Sequence, residues 1–205
     1  MCMCSKNMHK GSGYFSPCGH NDCNSLGPFR AVKPGSTLPN TGTIIPFSSG
    51  TTALILPTLA TGLAGVPSLI GFGTAVPGVA IVGNTLDLTG ILTEVFSVPR
   101  NGSITAISAS FTPTVPLAVA GTAAVTAQIF RAPEGSSVFT ATNARVTLTP
   151  YTGAVATGDT SFASADVLPV AVSQGDRLVM VYSFAGTVTA VTAITGTASA
   201  GITIS

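Results

Sequence analysis

One run constrains the fold more than any other in the sequence: Asp176-Arg177-Leu178-Val179-Met180-Val181-Tyr182-Ser183-Phe184. Successive side chains of an extended chain point to opposite sides. One face of this stretch therefore carries Leu178, Met180, Tyr182 and Phe184. Val179 and Val181 make the opposite face apolar as well. A strand that is apolar on both faces lies either between two layers of its own domain or at a contact between subunits.

Similar runs recur along the chain, separated by segments rich in Gly, Pro, Ser and Asn, at residues 104–111, 123–130, 144–149, 167–172, 187–193 and 202–205. In the first run, Ile107, Ala109 and Phe111 alternate with Ser108 and Ser110. Asn101-Gly102 just before this run predicts a type I′ hairpin turn. The spacing is typical of an all-β sandwich or barrel. We therefore predict a domain over residues 43–205 with about eight to ten strands, for which a jelly roll is a fitting topology.

Charged residues are scarce, at 7 % of the chain, against roughly 25 % in ordinary soluble domains. None lies between Pro34 and Leu86. Such a surface is poorly solvated and favours association with other copies. Residues 59–82 do not predict a membrane span, because Pro67, Pro77 and five glycines interrupt them. The net charge of +1 and the scattered basic residues predict no nucleic-acid-binding face.

No catalytic constellation is indicated. Residues 43–205 contain neither His nor Cys, so neither a Ser-His triad nor a Cys-His pair can form there. The acids of this region lie near Gly-rich or Pro-rich turns and are Asp87, Glu94, Glu134, Asp159, Asp166 and Asp176. We interpret them as solvated loop residues rather than as a glycosidase pair. The prediction is a protein without enzyme activity and without a cofactor.

The first 42 residues are interpreted as an extended arm that carries all the cysteine and histidine of the chain: Cys2, Cys4, His9, Cys18, His20 and Cys23. Three hypotheses fit this cluster. The thiols could cross-link to adjacent subunits or to cysteine-rich partners. They could stay inert or pair within the chain. Four of the six residues could also bind a tetrahedral zinc ion, although the Cys-x-x-Cys spacing of many zinc sites is missing.

The arm is also predicted to connect stacked copies. Residues 24–42 are too rich in Pro and Gly to fold alone, and the segment that follows is β-prone enough to be accepted by the sheet edge of a neighbouring copy. Aromatic residues of the arm suit an apolar groove better than a stacked base. The predicted assembly contacts are Tyr14, Phe15, Phe29, Ile44, Ile45 and Phe47.

Several segments together indicate a family: Ile44-Ile45-Pro46-Phe47-Ser48-Ser49-Gly50-Thr51-Thr52, Gly62-Leu63-Ala64-Gly65, Leu69-Ile70-Gly71-Phe72-Gly73, Asp87-Leu88-Thr89-Gly90, Phe96-Ser97-Val98-Pro99-Arg100 and Ala198-Ser199-Ala200-Gly201-Ile202-Thr203-Ile204-Ser205. They resemble the C-terminal domain of the collagen-like exosporium glycoproteins of spore-forming bacilli, and most closely the BclB type. The resemblance covers residues 43–205. The chain departs from that family in having no Gly-X-Y repeat, so it contains no collagen stalk.

The resemblance implies a tumour-necrosis-factor-like jelly roll that forms tight homotrimers on the spore surface. We therefore predict a structural exosporium protein, whose trimers stack into a fibre or anchor one through the arm. Its predicted partners are other copies of itself and cysteine-rich exosporium proteins. The alternative is a binding module in which the jelly roll recognises a carbohydrate or a host ligand. The absence of Trp and the wide spacing of the three Tyr residues speak against a sugar site.

Overall fold

A computed structural model describes residues 25–26, 29–30, 42–59, 61–90, 94–188 and 192–205, and this part of the chain contains strands and no helix. The chain divides into two compact units, Met1–Thr41 and Gly42–Ser205. In the first unit, strand β1 (Ser25–Leu26) pairs antiparallel with β2 (Phe29–Arg30). No helix of the described residues has the length and apolar character that a membrane crossing requires.

The second unit begins with short strands, which are β3 (Thr43–Ser48), β4 (Leu54–Pro57), β5 (Ser68–Ile70), β6 (Ala75–Val76), β7 (Ile81–Val82), β8 (Thr85–Asp87) and β9 (Phe96–Ser97). Further strands follow, which are β10 (Gly102–Pro113), β11 (Leu117–Ala132), β12 (Val138–Thr147), β13 (Tyr151–Val155), β14 (Ser161–Val172), β15 (Arg177–Val188) and β16 (Ala193–Ile204). The described part of this unit thus has fourteen strands, more than the predicted number. The excess comes from the short strands of the charge-poor segment before residue 98.

These strands form two antiparallel sheets. The small sheet has five strands in the order β14-β10-β16-β3, with β4 also paired to β16. The large sheet has nine strands in the order β6-β5-β15-β11-β12-β8-β7, with β13 paired to β11 and β9 to β15. The sheets are curled into a half-barrel, and the all-β, sandwich-like fold that the sequence predicts is confirmed. The jelly-roll topology, the trimer and the extended arm stay predictions.

The main core lies between the two sheets. The small sheet contributes side chains such as Phe47 and Phe111, and the large sheet contributes Val125 and Tyr182. The Tyr182 hydroxyl crosses this core and donates a hydrogen bond of 2.8 Å to the Ser199 carbonyl. A buried hydroxyl needs a hydrogen-bond partner. Because the partner of Tyr182 lies on β16, this bond connects the large sheet to the small one.

Strand β15 is buried on both faces, as its sequence predicts. Leu178, Met180, Tyr182 and Phe184 belong to the main core. Val179 and Val181 belong to a second core with Leu69, Leu86 and Phe139. The second core is built by other strands of the same curled sheet, so β15 lies between two layers of its own chain. Its apolar outer face is therefore no argument for a subunit contact.

One local prediction is wrong. Asn101-Gly102 does not form a hairpin turn, because β9 pairs with β15 in the large sheet whereas β10 pairs with β14 and β16 in the small one. The segment instead carries the chain between sheets, and the Asn101 side chain accepts a 2.8 Å hydrogen bond from the Gln174 amide. Of the run predicted at residues 187–193, Thr187 and Val188 end β15 and Ala193 begins β16, while residues 189–191 lie outside the described residues.

Candidate assembly surface

Most residues predicted for cross-linking, zinc binding or docking lie outside the described residues: Cys2, Cys4, His9, Tyr14, Phe15, Cys18, His20 and Cys23. Phe29 lies in β2. Among the described residues, no group of three or more His, Cys, Asp or Glu side chains could hold a metal ion.

The other predicted assembly contacts lie in β3. This segment forms a strand, but it pairs with β16 of its own chain. Ile45 and Phe47 point inward and are buried in the core, which leaves Ile44 as the exposed residue of the three. The Ser48 amide donates to the Gly71 carbonyl on the side away from β16, so alternate residues, including Pro46, face that outer edge. Because proline cannot donate a hydrogen bond, Pro46 makes β3 a poor edge for strand addition.

The acids of the second unit hold turns and loops in place. Asp87 accepts hydrogen bonds from the Thr89 side chain (2.7 Å) and amide (2.9 Å), and these bonds lower the pKa of its carboxyl. Asp159 accepts from the Ala156 amide at 2.8 Å. Asp176 accepts from the Ser173 amide at 2.8 Å and lies 3.5 Å from Arg131. Each of these three carboxylates is thus used by its own turn or by a neighbouring strand. The interpretation of all six acids as solvated loop residues is wrong, because Glu94 and Asp176 are buried and Asp166 lies within β14.

The outer face of the small sheet is the open surface of the fold, and we call it the hydroxyl face. Its side chains form three rows that run across β14, β10, β16 and β3. The first row is Phe162, Ser110, Ser199 and Ser48; the second is Ser164, Ser108, Gly201 and Pro46; the third is Asp166, Ala106, Thr203 and Ile44. Asp166 is the one charged residue in these rows.

Hydroxyl groups on this face are bonded to one another across the strands. Ser108 Oγ lies 2.7 Å from Ser164 Oγ, and Ser110 Oγ lies 2.9 Å from Ser199 Oγ. A third pair, 2.8 Å apart, joins the Oγ1 atoms of Thr112 and Thr160. A hydroxyl that already has a partner loses less on dehydration than a free one. The face can therefore be buried at a lower cost than its polar composition suggests.

Large apolar side chains stand at the rim of the hydroxyl face. Ile44 is 74 % exposed at one edge, whereas Phe162 and Leu168 on β14 are 68 % and 79 % exposed at the other. Between the edges, a shallow hollow of about 340 Å³ lies over Ala106 and Gly201. A flat, nearly uncharged face with a broad hollow and apolar edges suits contact with another protein surface.

The sequence alone predicts part of the hydroxyl face. Alternation in residues 104–111 correctly places Ser108 and Ser110 opposite the core residues Ile107 and Phe111. The partners Ser164 and Ser199 were missed, because they come from strands 56 and 89 positions away. Only the register of the sheet brings these residues into one face.

No protein-family model, no curated protein and no solved structure matches the chain. The proposal for its function therefore rests on its own residues and geometry, together with the resemblance of residues 43–205 described above.

Proposed function

We propose that the protein is a structural component of the bacterial spore surface, the exosporium, and that it acts by self-assembly. The sequence resemblance of residues 43–205 to the BclB-type domain supports the location and the jelly-roll trimer. The hydroxyl face supports self-assembly independently of that resemblance. Neither argument requires catalysis or a cofactor.

One observation carries the self-assembly in this proposal: among the described residues nothing covers the hydroxyl face, and two pairs of its serine hydroxyls are bonded to each other. An ordinary solvent-exposed face of an antiparallel sheet carries charged and polar side chains. Here the three rows hold mostly serine, threonine, alanine and glycine, with Phe162, Pro46 and Ile44 toward the edges and a single acid, Asp166. With so few charges the face is weakly hydrated, so contact with a second copy releases water and leaves only Asp166 as a charge to be paired or kept at the rim.

A trimer constrains how this face is used. In a closed ring of three, each copy presents two different surfaces, because the contacts are heterologous. The hydroxyl face of one copy therefore meets a different surface of the next copy. Contact of two hydroxyl faces with each other would give a dimer instead.

The arm would then link trimers to each other or to the exosporium. All four cysteines precede residue 24, whereas the second unit has none. Disulfides at these positions would join the arm to adjacent subunits or to cysteine-rich exosporium proteins, because such bonds persist in an oxidising extracellular setting. Trimer formation and cross-linking thus use different parts of the chain.

Substitution of Ser108 by Glu tests the proposal. The new carboxylate would stand in the middle of the hydroxyl face and would have to be dehydrated without a partner in any contact made there. Light scattering of the full-length wild type under reducing conditions should give three times the 20.4 kDa mass of one chain, and Ser108→Glu should give monomers.

The matched control is Thr152→Glu, which places the same charge on an exposed strand position of the large sheet. It should remain trimeric. A wild type that stays monomeric at micromolar concentration would refute self-assembly. A dimer would refute the trimer, and reproducible binding of the wild-type monomer to a glycan array would favour the carbohydrate-binding alternative.

A further inference from the structure

An open cleft lies between β12 of the large sheet and β14, the edge strand of the small sheet. Its volume is about 590 Å³, within the range of about 300–1,000 Å³ that is usual for small-molecule sites. The side chains that matter for its chemistry are Arg131 of β11, Thr140, Thr142 and Asn143 of β12, and Pro169 and Val170 of β14.

Two β-bulges meet at this cleft. In β12, residues 142–144 lie opposite the single β11 residue Ile129. In β14, residues 167–169 lie opposite the single β10 residue Thr105. A bulge turns side chains out of the regular alternation, and bulges are common beside functional sites. The cleft is therefore shaped by both strands rather than by a chance gap between them.

Hydrogen bonds hold the β12 bulge in one shape. The Gln128 side chain donates to the Thr142 carbonyl at 2.8 Å, and the Thr142 hydroxyl donates to the Ile129 carbonyl at 2.7 Å. The same hydroxyl accepts from the Ala144 amide at 3.2 Å. Asn143 lies between these anchored residues, is exposed, and makes no side-chain hydrogen bond within the described part of the chain. Its backbone is thus fixed while its carboxamide stays available.

Arg131 adds a fixed donor to the cleft. It lies opposite Thr140 in the register of β11 and β12, so the two side chains stand on the same face of the large sheet. Its guanidinium donates to the Ala171 carbonyl and lies 3.5 Å from Asp176. Arg131 is the one charged residue of the lining, and the Asp176 carboxylate offsets its charge. The N–H groups that these contacts leave unused can donate to a ligand.

We propose that this cleft binds an uncharged carbohydrate of one or two rings. A sugar hydroxyl both donates and accepts hydrogen bonds, and the side chains of Thr140 and Asn143 do the same, whereas Arg131 only donates. Pro169 and Val170 form an apolar wall on which the C–H groups of a sugar ring can pack. A few fixed polar groups beside an apolar wall are the usual composition of a small-molecule site.

This inference goes beyond the proposed self-assembly and does not depend on it. The residues of the cleft are absent from the three rows of the hydroxyl face. Because the apolar wall consists of proline and valine, the site needs neither Trp nor a cluster of Tyr. The sequence gives no sign of it, since the register of two sheets brings its residues together.

The test uses the full-length protein under reducing conditions on a glycan array that carries neutral and acidic mono- and disaccharides. The neutral sugar that binds most strongly is then titrated by calorimetry. Thr140→Val removes a hydroxyl at constant shape, and Asn143→Ala removes the carboxamide; both positions are exposed, so the fold is retained. The matched control is Thr152→Val, the same change at an exposed position of β13 outside the cleft.

We expect the wild type to bind at least one neutral sugar, and Thr140→Val and Asn143→Ala each to weaken that binding by about tenfold through lost hydrogen bonds. Thr152→Val should bind as the wild type does. No bound sugar, binding confined to acidic sugars, or equal affinity of all four chains would overturn the inference. Light scattering of the same chains separates the outcomes: trimers that bind no sugar refute the cleft alone, whereas monomers refute the proposed self-assembly.

Discussion

The two sheets of the second unit bury their faces differently. The large sheet is covered on both faces by its own chain, with the main core on one side and the second core of Leu69, Leu86, Phe139, Val179 and Val181 on the other. The small sheet buries only one face and leaves the hydroxyl face open. Folding of a single chain therefore buries both faces of the large sheet. The small sheet is where contact between copies can still be gained.

The largest effect is expected from a charge in the second core. Val181 is buried there, and Val181→Asp would bury a carboxylate with no partner. We expect a loss of at least about 4 kcal/mol in unfolding free energy, or failure to fold. Denaturant unfolding at fixed protein concentration measures this loss. The matched change Ser108→Asp on the hydroxyl face should alter the unfolding free energy of the monomer by less than about 0.5 kcal/mol. Equal losses at the two positions would erase the distinction between the sheets.

A pair of glycines in β16 tests the two faces of the small sheet. At Gly196, an added Cβ would fall 2.2 Å from the Thr112 carbonyl oxygen and 2.8 Å from the Phe111 ring. At Gly201, on the hydroxyl face, the nearest atom would be 3.9 Å away. Gly196→Ala should therefore cost about 2–3 kcal/mol through overpacking. Gly201→Ala should be neutral or slightly stabilising.

Thermal or denaturant unfolding of both glycine variants measures this difference. Alanine tolerated at Gly196 would show that β16 is not packed this closely against β10. A destabilising alanine at Gly201 would show that the hydroxyl face is already filled by something else. The comparison of the two positions thus reports on each face of the same strand.

Alkaline pH should lower the stability of the second unit through Tyr182, whose hydroxyl connects the two sheets. Burial raises the pKa of Tyr182 well above its ordinary value of 10.0, because the phenolate would lose its hydration in the core. A pKa raised in the folded state means that stability is retained below pH 10 and lost as the pH rises further, by up to about 1.4 kcal/mol per pH unit. Burial raises the pKa of Tyr151 in the same direction.

Tyr182→Phe isolates this effect. The variant loses the hydrogen bond to Ser199, at a cost of about 1–2 kcal/mol at neutral pH, but its stability should fall less steeply than that of the wild type above pH 10. Denaturation midpoints measured between pH 8 and pH 11 compare the two slopes, a range chosen around the ordinary tyrosine pKa of about 10. Identical slopes would mean that Tyr182 does not control the alkaline transition.

Sequence reasoning succeeded where a pattern is local. Alternation alone predicts both buried faces of β15 and the inward residues of β10. It failed where pairing is distant in sequence. The short strands between residues 54 and 97 are too brief and too interrupted by Gly and Pro to show a period, and their partners lie in β15, β16 and β12. The hairpin turn predicted at Asn101 is wrong because the side-chain oxygen of Asn101 accepts a hydrogen bond from the backbone amide of Gln174, 73 positions away.

The smallest effect on stability is expected from the cysteines. All four lie in the first 23 residues, so no disulfide can join two parts of the second unit. Replacing Cys2, Cys4, Cys18 and Cys23 by Ser should leave the unfolding free energy and the circular dichroism of that unit unchanged, because its stability comes from the two cores. The same variant should lose every disulfide-linked multimer that the wild type shows on a non-reducing gel. Multimers that persist in the variant would rule out these thiols as cross-links. Stoichiometric zinc in the purified wild type, lost in the variant, would identify the cluster as a metal site instead.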